Sequence, residues 1–402
     1  MKNFFFRSIC LVTLFSVAAV AAETNQKAVT KKDKVIKLRW EVVHSPYDYF
    51  VRMAKVFKEK VEKETNKRVV VEISAKKTHS FNKLKEQQTS NDAYTENKAV
   101  ALQRAEGVKA LQEGKVDIAQ GYSYYLASVS NPEYHALELP YVFENYDHVN
   151  RFLESETGEN LLASTSSTHN MRGLAYSFSG GLLVALTPKD KPLITRESWN
   201  GRHFRTIDSL IRLRAVKELG GEIADLEEQN DKINDGESKR HRATVMINSK
   251  IIDAEEINLP DLERKLFERK DVVKFNGVIK SSVLNKISVS ETQHTLLSTI
   301  FLINEKKFQS MSAEDQKIVK DAAVFAARFE RNLTVHRYEL AKKHLIKLGF
   351  AWNTVPTTER NKIRSATEAV YTQLYKDVPS TKMIVSKINE MKTVTPKKIA
   401  GQ

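Results

Sequence analysis

The chain has 402 residues, a net charge of +14 and a single cysteine, Cys10. One cysteine excludes an intrachain disulfide and a metal site built from several thiolates. An excess of Lys and Arg is typical of proteins that bind nucleic acid, an anionic membrane or an anionic ligand. The basic runs, however, lie near the two ends of the chain, in 27–37 and 392–398, where solvated tails are expected.

The N-terminus has the pattern of a secretory signal. Lys2 and Arg7 accompany an apolar run over 9–20, and a small-x-small cleavage signature follows at 19–21. The run is too short to span a membrane, so it predicts a signal peptide over 1–22. No other stretch is long and apolar enough to cross a membrane. We therefore expect a periplasmic protein that is not itself membrane-spanning and binds no nucleic acid.

Patterns of alternating strand and helix follow the signal. Apolar residues alternate over 35–43 and 69–73, and the segment between them keeps helical spacing. This order predicts a β-α-β unit with parallel strands. A polar segment without periodicity, 76–98, predicts an insertion that is either an excursion from the fold or an irregular helix. A helix over 100–113 and a strand over 116–122 are expected after it.

The rest of the chain continues the alternation, which is typical of an α/β fold. A charged stretch without apolar period, 227–242, predicts a second exposed insertion. The other expected elements are a helix over 146–162, strands over 172–178 and 182–186 on either side of Gly180-Gly181, a helix over 210–219, a β-rich segment over 287–303, a long helix opened by a capping box at Ser312–Asp315, and a C-terminal helix over 363–374.

One stretch combines a turn, a strand and a polar break. Thr195 has the residue type of an N-cap before a short helical turn, and Asn200-Gly201 marks the sharp turn that follows. A short extended segment then ends at Arg205. Ligand contacts in open α/β sheets lie at the carboxyl ends of strands, where a guanidinium can hold a carboxylate with two parallel hydrogen bonds. A surface Arg, or one paired with a nearby acid, is the alternative.

Four stretches, taken in order, are shared with a known family. They are Leu111–Gln120 at a helix end and the next strand, Leu139–Phe143 with a Leu-Pro-aromatic pattern, Trp199–Arg205, and Met311–Gln316 at the start of the long helix. Their order resembles the periplasmic solute-binding proteins of TRAP-type secondary transporters, the DctP-like family. The resemblance covers nearly all of the chain from the first strand onward.

The resemblance implies an α/β, two-lobed periplasmic binding protein fold, with a ligand cleft between the lobes and a long helix spanning both. It also implies that the protein captures a small organic acid and delivers it to the membrane subunits of a TRAP permease. The expected lobes are 23–180 with 283–325 and 181–282 with 326–380, followed by a basic C-terminal tail over 381–402.

By this resemblance, Arg205 takes the role of the residue that clamps the ligand carboxylate. The other candidates for the substrate site are five residues at predicted strand ends, two in the acidic segment 253–260 and one near the returning β-rich segment: His44, Tyr47, Tyr122, Tyr124, Phe178, Glu256, Asn258 and His294. The alternative for His44 is a turn residue that binds the backbone. The alternative for the tyrosines is packing in the apolar core. Glu256 beside Arg205 would either orient the guanidinium or meet an amine or hydroxyl of the ligand, and a structural ion pair is its alternative.

The chain also departs from the family pattern. The family usually has an Arg near the position of Gly181, where this chain has Leu182-Leu183-Val184. The family's ligand-facing Asn would fall on Ile257, or on Asn258 if the register slips by one. These departures leave a rival function open, an exported ligand-sensing or interaction protein of the same fold with a degraded or altered cleft.

Motifs for catalysis or cofactor binding are missing from the sequence. It contains no H-E-x-x-H, G-x-S-x-G, phosphate loop or G-x-G-x-x-G, and the spacing of its histidines indicates no metal site. An exported hydrolase would need a nucleophile with a base in reach. We therefore expect no catalytic residue, no cofactor and no metal, and a binding protein instead of an enzyme.

Overall fold

The computed structural model describes residues 35–43, 49–76, 105–166, 169–207, 209–224, 252–267, 273–275, 278–280 and 286–392. The predicted signal peptide, nearly all of the first insertion and the whole of the second lie outside these residues, as do His44 and Tyr47.

The first sheet has five strands and begins with the predicted β-α-β unit. Its strands, in spatial order, are Val69–Lys76, Ile36–Val43, Ile118–Tyr122, Leu296–Asn304 and Met171–Leu182. The first two pair in parallel, as predicted. Trp40 is buried and its ring meets that of Phe57 from the intervening helix, edge to face at 5.8 Å. The apolar alternation of the strand therefore packs onto the apolar face of that helix.

The second sheet has six strands. In spatial order they are Ala351–Thr354, Ile287–Glu291, Val184–Pro188, Ala254–Ile257, His203–Arg205 and Glu222–Ile223. A separate antiparallel pair, Val273–Phe275 with Val278–Lys280, completes the described strands. The strand Ile287–Glu291 lies in this second sheet, so the segment 283–325, which we assigned to the first lobe alone, contributes to both sheets.

The chain passes between the sheets at neighbouring points, and the long helix crosses both. Leu183 joins Met171–Leu182 to Val184–Pro188, and residues 292–295 join strands of the second and first sheets. The long helix Ala313–Lys347 begins at Ser312, whose hydroxyl accepts a hydrogen bond from the Asp315 amide at 3.1 Å, as the capping pattern predicts. Its first half packs in the core of the first sheet and its second half in that of the second.

The described helices surround these sheets. Besides the long helix, the α-helices are Tyr49–Glu64, 105–112, Ser123–Val129, Tyr146–Leu153, Glu156–Ala163, Leu210–Glu218, Leu259–Phe267, Glu305–Gln309, Thr357–Ala366, Glu368–Asp377 and Thr381–Glu390. Short 3₁₀ helices span Pro132–Glu138, Ser164–Ser166 and Glu197–Trp199.

Three predicted elements differ in detail. The single helix expected over 146–162 is two helices, because Ser155 caps the second by accepting a hydrogen bond from the Gly158 amide. The strand expected over 172–178 continues through a bulge to Leu182. The range 381–390, predicted as part of a basic tail, is a helix whose Ile384, Val385 and Ile388 are buried, since its apolar face packs in the core.

Candidate functional site

A buried aromatic stack holds the strand that ends at Arg205. Trp199 is fully buried and its ring stacks on that of Phe204, with centroids 5.1 Å apart. Ahead of Trp199, the Thr195 hydroxyl accepts a hydrogen bond from the Ser198 amide at 3.2 Å, but the N-cap of the short helix Glu197–Trp199 is Arg196 and not Thr195 as predicted. The turn before the strand His203–Arg205 is therefore held by the hydrogen bond at Thr195 and by the stacking of Trp199 on Phe204.

Arg205 forms a buried ion pair with Glu255. The two residues face each other on adjacent parallel strands, and their side chains are only 8 % and 1 % exposed. On its other side, Glu255 faces Leu186, which lies with Ile257 in an apolar cluster. The pairing of Arg205 with a nearby acid, which the sequence left as an alternative, is thus present in the structure. The acid is Glu255, which the sequence did not single out.

Glu256 lies on the opposite face of the same strand, because side chains alternate along a strand. Its carboxylate accepts a hydrogen bond from the Thr206 hydroxyl at 2.6 Å and lies 2.9 Å from His294 Nε2. Arg212 Nη1 is 3.4 Å from the same carboxylate. Burial raises the pKa of Glu256, but the hydrogen bond with His294 and the charge of Arg212 outweigh it and lower that pKa to about 2. Glu256 is therefore part of a structural ion network. The contact with Arg205 that the sequence suggested for Glu256 is made by Glu255 instead.

Arg212 connects this network to the first sheet, where the strand Leu296–Asn304 lies. Its Nε lies 3.4 Å from Glu138 Oε2, and its Nη2 donates to the Leu296 carbonyl at 2.9 Å. The Ser209 hydroxyl donates to the same Glu138 carboxylate at 2.7 Å. Sequence reasoning missed Arg212 and Glu138, although an Arg on the helix directly after the Arg205 strand was a signal that could have been followed.

Two predicted tyrosines lie where the sheets meet. The rings of Tyr122 and Tyr124 stack with centroids 5.1 Å apart. Tyr122 packs with Leu183 and Leu297, and Ile207 packs against the same small cluster. Tyr124 and Ile207 are half-buried. This tyrosine cluster, comprising Tyr122, Tyr124, Tyr125, Leu183, Ile207 and Leu297, joins the first sheet to the segment just after Arg205.

The remaining candidates have structural partners. Asn258 Oδ1 accepts a hydrogen bond from the Asp261 amide at 2.9 Å, so Asn258 caps the helix Leu259–Phe267. Phe178 is fully buried in an apolar cluster, because both faces of its strand are covered there. His294 binds Glu256 through one ring nitrogen and lies 2.8 Å from the Thr292 hydroxyl through the other.

The position of the family's second Arg is apolar in this chain. Leu182, Leu183 and Val184 are all buried. Gly180 and Gly181 precede them with φ of 100° and 71°, in the left-handed region that glycine tolerates. Within the described ranges, no helix has the length and apolar character to cross a membrane, and no three or more His, Cys, Asp or Glu side chains are grouped to hold a metal ion.

Comparison with known proteins gives a consistent result. Residues 42–226 and 279–377 match the family described as bacterial extracellular solute-binding protein, family 7 (DctP). A solute-binding protein of Chromohalobacter salexigens is 21% identical over 73% of this chain and 77% of its own length.

Solved structures share the fold. A TRAP periplasmic solute-binding protein of Ochrobactrum anthropi, with its C-terminus bound in the ligand pocket, has a TM-score of 0.68 at 15% identity, over 90% of this chain and 98% of its own. Another from Chromohalobacter salexigens, with bound D-glucuronate, has a TM-score of 0.64 at 17% identity, over 88% of this chain and 100% of its own. These neighbours have the two-lobed α/β fold that the two sheets and the long helix form in this chain.

Proposed function

The chain belongs to family 7 of the bacterial extracellular solute-binding proteins, and from that premise we propose that it captures a small organic acid between its lobes. We further propose that it does so in the periplasm and delivers the acid to the membrane subunits of a TRAP-type permease. The proposed lobes follow the two sheets, with the cleft at the carboxyl ends of their strands.

The observation that carries this proposal is the position of Arg205. It ends a strand of the second sheet, two residues before Ile207, which packs against the tyrosine cluster of the first sheet. A carboxylate held by its guanidinium would therefore lie close to groups of both lobes. A guanidinium can bind a carboxylate with two parallel hydrogen bonds, and a low-dielectric setting strengthens that interaction.

Ligand binding would stabilise the closed arrangement of the lobes. A ligand that contacts Arg205 and the tyrosine cluster together makes both sets of contacts only when the lobes are close. A ligand shifts a conformational equilibrium by its difference in affinity for the two states, so such a ligand favours closure. The half-buried Tyr124 and Tyr125 offer hydroxyl groups and ring faces to an oxygen-rich acid.

A thermal-shift screen of the mature chain tests the proposal. The panel contains dicarboxylates, 2-oxo acids, sugar acids, aromatic acids and amino acids, with the matching uncharged alcohols or amides as controls. A saturable rise in melting temperature with one class of acid, and none with its uncharged control, is expected, because a ligand that binds only the folded state stabilises it. A folded protein that no acid stabilises would contradict the proposal.

A second candidate function is favoured by the ion pair of Arg205. Because Glu255 already neutralises the guanidinium, the cleft could have lost its acid ligand, leaving an exported sensing or interaction protein. The two functions differ in the screen, since only the first predicts stabilisation by a carboxylate. Uptake of the stabilising acid by cells with and without the gene then tests delivery to a permease.

A further inference from the structure

We propose that Glu255 determines the specificity of this site: it admits acids that carry a hydroxyl or ammonium group near the carboxylate and rejects plain carboxylates. The inference rests on the proposed function, because it takes Arg205 as the residue that receives the ligand carboxylate. Glu255 then meets the neighbouring hydrogen-bond donor of the ligand.

The pairing register keeps the two side chains together. Arg205 and Glu255 are direct partners on neighbouring parallel strands, so both side chains leave the sheet on the same face. Adjacent strands lie about 4.8 Å apart, within the reach of an Arg and a Glu side chain. Any group that approaches the Arg205 guanidinium from this face therefore also approaches the Glu255 carboxylate.

The surroundings leave Glu255 with unused hydrogen-bonding capacity. Its side chain is 1 % exposed, and its neighbour on the other strand is Leu186. Apart from the ion pair with Arg205, neither carboxylate oxygen has a hydrogen-bond donor among the described residues. Buried polar atoms are normally paired, so this acceptor requires an explanation. A hydroxyl or ammonium group of a ligand would supply the missing donor.

The negative charge of Glu255 beside Arg205 makes the site selective between acids with and without a neighbouring hydrogen-bond donor. A plain carboxylate at Arg205 would place a second negative charge beside Glu255 and offer it no hydrogen bond, which disfavours binding. A hydroxy or amino acid offsets that repulsion by donating to Glu255. Sites built to pair with a ligand hydroxyl reject analogues that lack it, because the buried group is then left unpaired.

The neighbouring Glu256 has no such role. It lies on the other face of the strand and is already bound by Thr206, Arg212 and His294. The difference between two adjacent carboxylates, one satisfied and one not, identifies Glu255 as the residue available to a ligand.

Isothermal titration with matched acids tests the inference. The probe pairs are malate with succinate, which differ by one hydroxyl, and D-gluconate with hexanoate. The proteins are the wild-type mature chain, Glu255→Gln, and Glu222→Gln as a control on the exposed edge strand of the same sheet. We expect the wild type to prefer the hydroxy acid of at least one pair by about tenfold or more. In Glu255→Gln the preference should fall to about threefold or less, mainly because the plain acid binds more tightly.

Three results would overturn the inference. One is a wild type that binds acids without preference for the hydroxylated member. Another is Glu255→Gln binding both members more weakly by the same factor, which would make Glu255 only a positioning residue for Arg205. The third is a Glu255→Gln variant with a lower melting temperature but an unchanged preference for the hydroxylated acid, which would indicate a purely structural ion pair. If Glu255→Gln does not fold, Glu255→Asp must lower the preference instead. A wild type that binds no acid at all overturns the proposed function itself.

Discussion

Glu255 and Glu256 are adjacent in sequence but lie in two different electrostatic environments. Strand alternation sends Glu255 to Arg205 on one face of the second sheet and Glu256 to Arg212 and His294 on the other. The first carboxylate lies among apolar side chains, and the second is held in a hydrogen-bonded network that reaches the first sheet. Glu255 is therefore the carboxylate that our proposal assigns to a ligand, while Glu256 is fully engaged by its protein partners.

Glu256 makes stability depend on pH. Its pKa is about 2 in the folded protein and 4.5 ordinarily. The stabilisation is thus fully present above pH 4.5 and is lost as the pH falls towards 2. We expect the free energy of unfolding of the wild type to fall by about 2 kcal/mol more than that of Glu256→Gln between pH 5.5 and pH 3. Urea unfolding followed by circular dichroism at both pH values measures this.

Glu222→Gln is the matched control for that experiment. Its side chain is 67 % exposed at the edge of the same sheet, so its unfolding should follow the wild type at both pH values. Equal losses for the wild type and Glu256→Gln would show that the network does not hold the Glu256 carboxylate in its charged form.

At the scale of residues, the sequence predicts where a side chain lies along its strand better than which side chain of another strand it contacts. The end of a strand at Arg205 follows from a turn and a local alternation, and both are present in the structure. Its partner depends on which residue of a strand some fifty positions away lies opposite, and a shift of one residue exchanges Glu255 for Glu256. Local patterns do not contain that register, which is why Glu256 was predicted and Glu255 was not.

At the scale of elements, the bulge in Met171–Leu182 lies just before Leu183, where the chain passes from the first sheet to the second. The pairing with Leu296–Asn304 shifts between Leu297 and Ser298, opposite the residues around Gly180. A Cβ on Gly180 would lie 2.4 Å from the Cβ of Asn258, and its φ of 100° disfavours any other residue. Bulges re-aim strands, and this one turns the strand towards the second sheet.

Gly180→Ala should therefore destabilise the fold. We expect the free energy of unfolding to fall by about 1–3 kcal/mol, because the backbone is strained and the added Cβ clashes with Asn258. Gly107→Ala is the matched control, because Gly107 lies in the helix 105–112 with nothing within 4 Å of an added Cβ. That substitution should be neutral or stabilise by up to about 1 kcal/mol. The urea midpoints of unfolding of the two variants and of the wild type measure these effects. Equal midpoints for Gly180→Ala and Gly107→Ala would contradict this account of the bulge.

Elements with strong local signals were predicted well. The capping box at Ser312 opens the long helix, and the β-α-β unit has parallel strands. The helix Thr381–Glu390 was missed, because its Lys-rich surroundings resemble a tail while Ile384, Val385 and Ile388 provide its buried face. Three apolar positions in a basic segment are a weak signal, and tertiary packing decides the outcome.

At the scale of the whole molecule, the order of four short stretches predicted the family and the fold. The family match covers 42–226 and 279–377, and the fold neighbours cover about nine tenths of the chain. The lobe boundaries remain a prediction, and the pairing of Ile287–Glu291 in the second sheet shows why they are hard to derive. A chain that crosses between sheets repeatedly does not divide into lobes at changes of composition, because the strands before and after each crossing are all largely buried.

The measurement that tests the central claim most directly is titration of wild type, Arg205→Ala and Arg214→Ala with the acid that stabilises the protein most in the screen. Arg214 is the control, since it lies on the neighbouring helix and forms a half-exposed pair with Asp377. Circular dichroism verifies folding. If Arg205→Ala unfolds, Arg205→Lys serves instead, since it keeps a positive charge beside Glu255 but cannot form two parallel hydrogen bonds with a carboxylate. Loss of Arg205 should weaken binding by about 2–5 kcal/mol, and loss of Arg214 should leave it nearly unchanged. A folded Arg205 variant that binds the acid as tightly as the wild type would contradict the account.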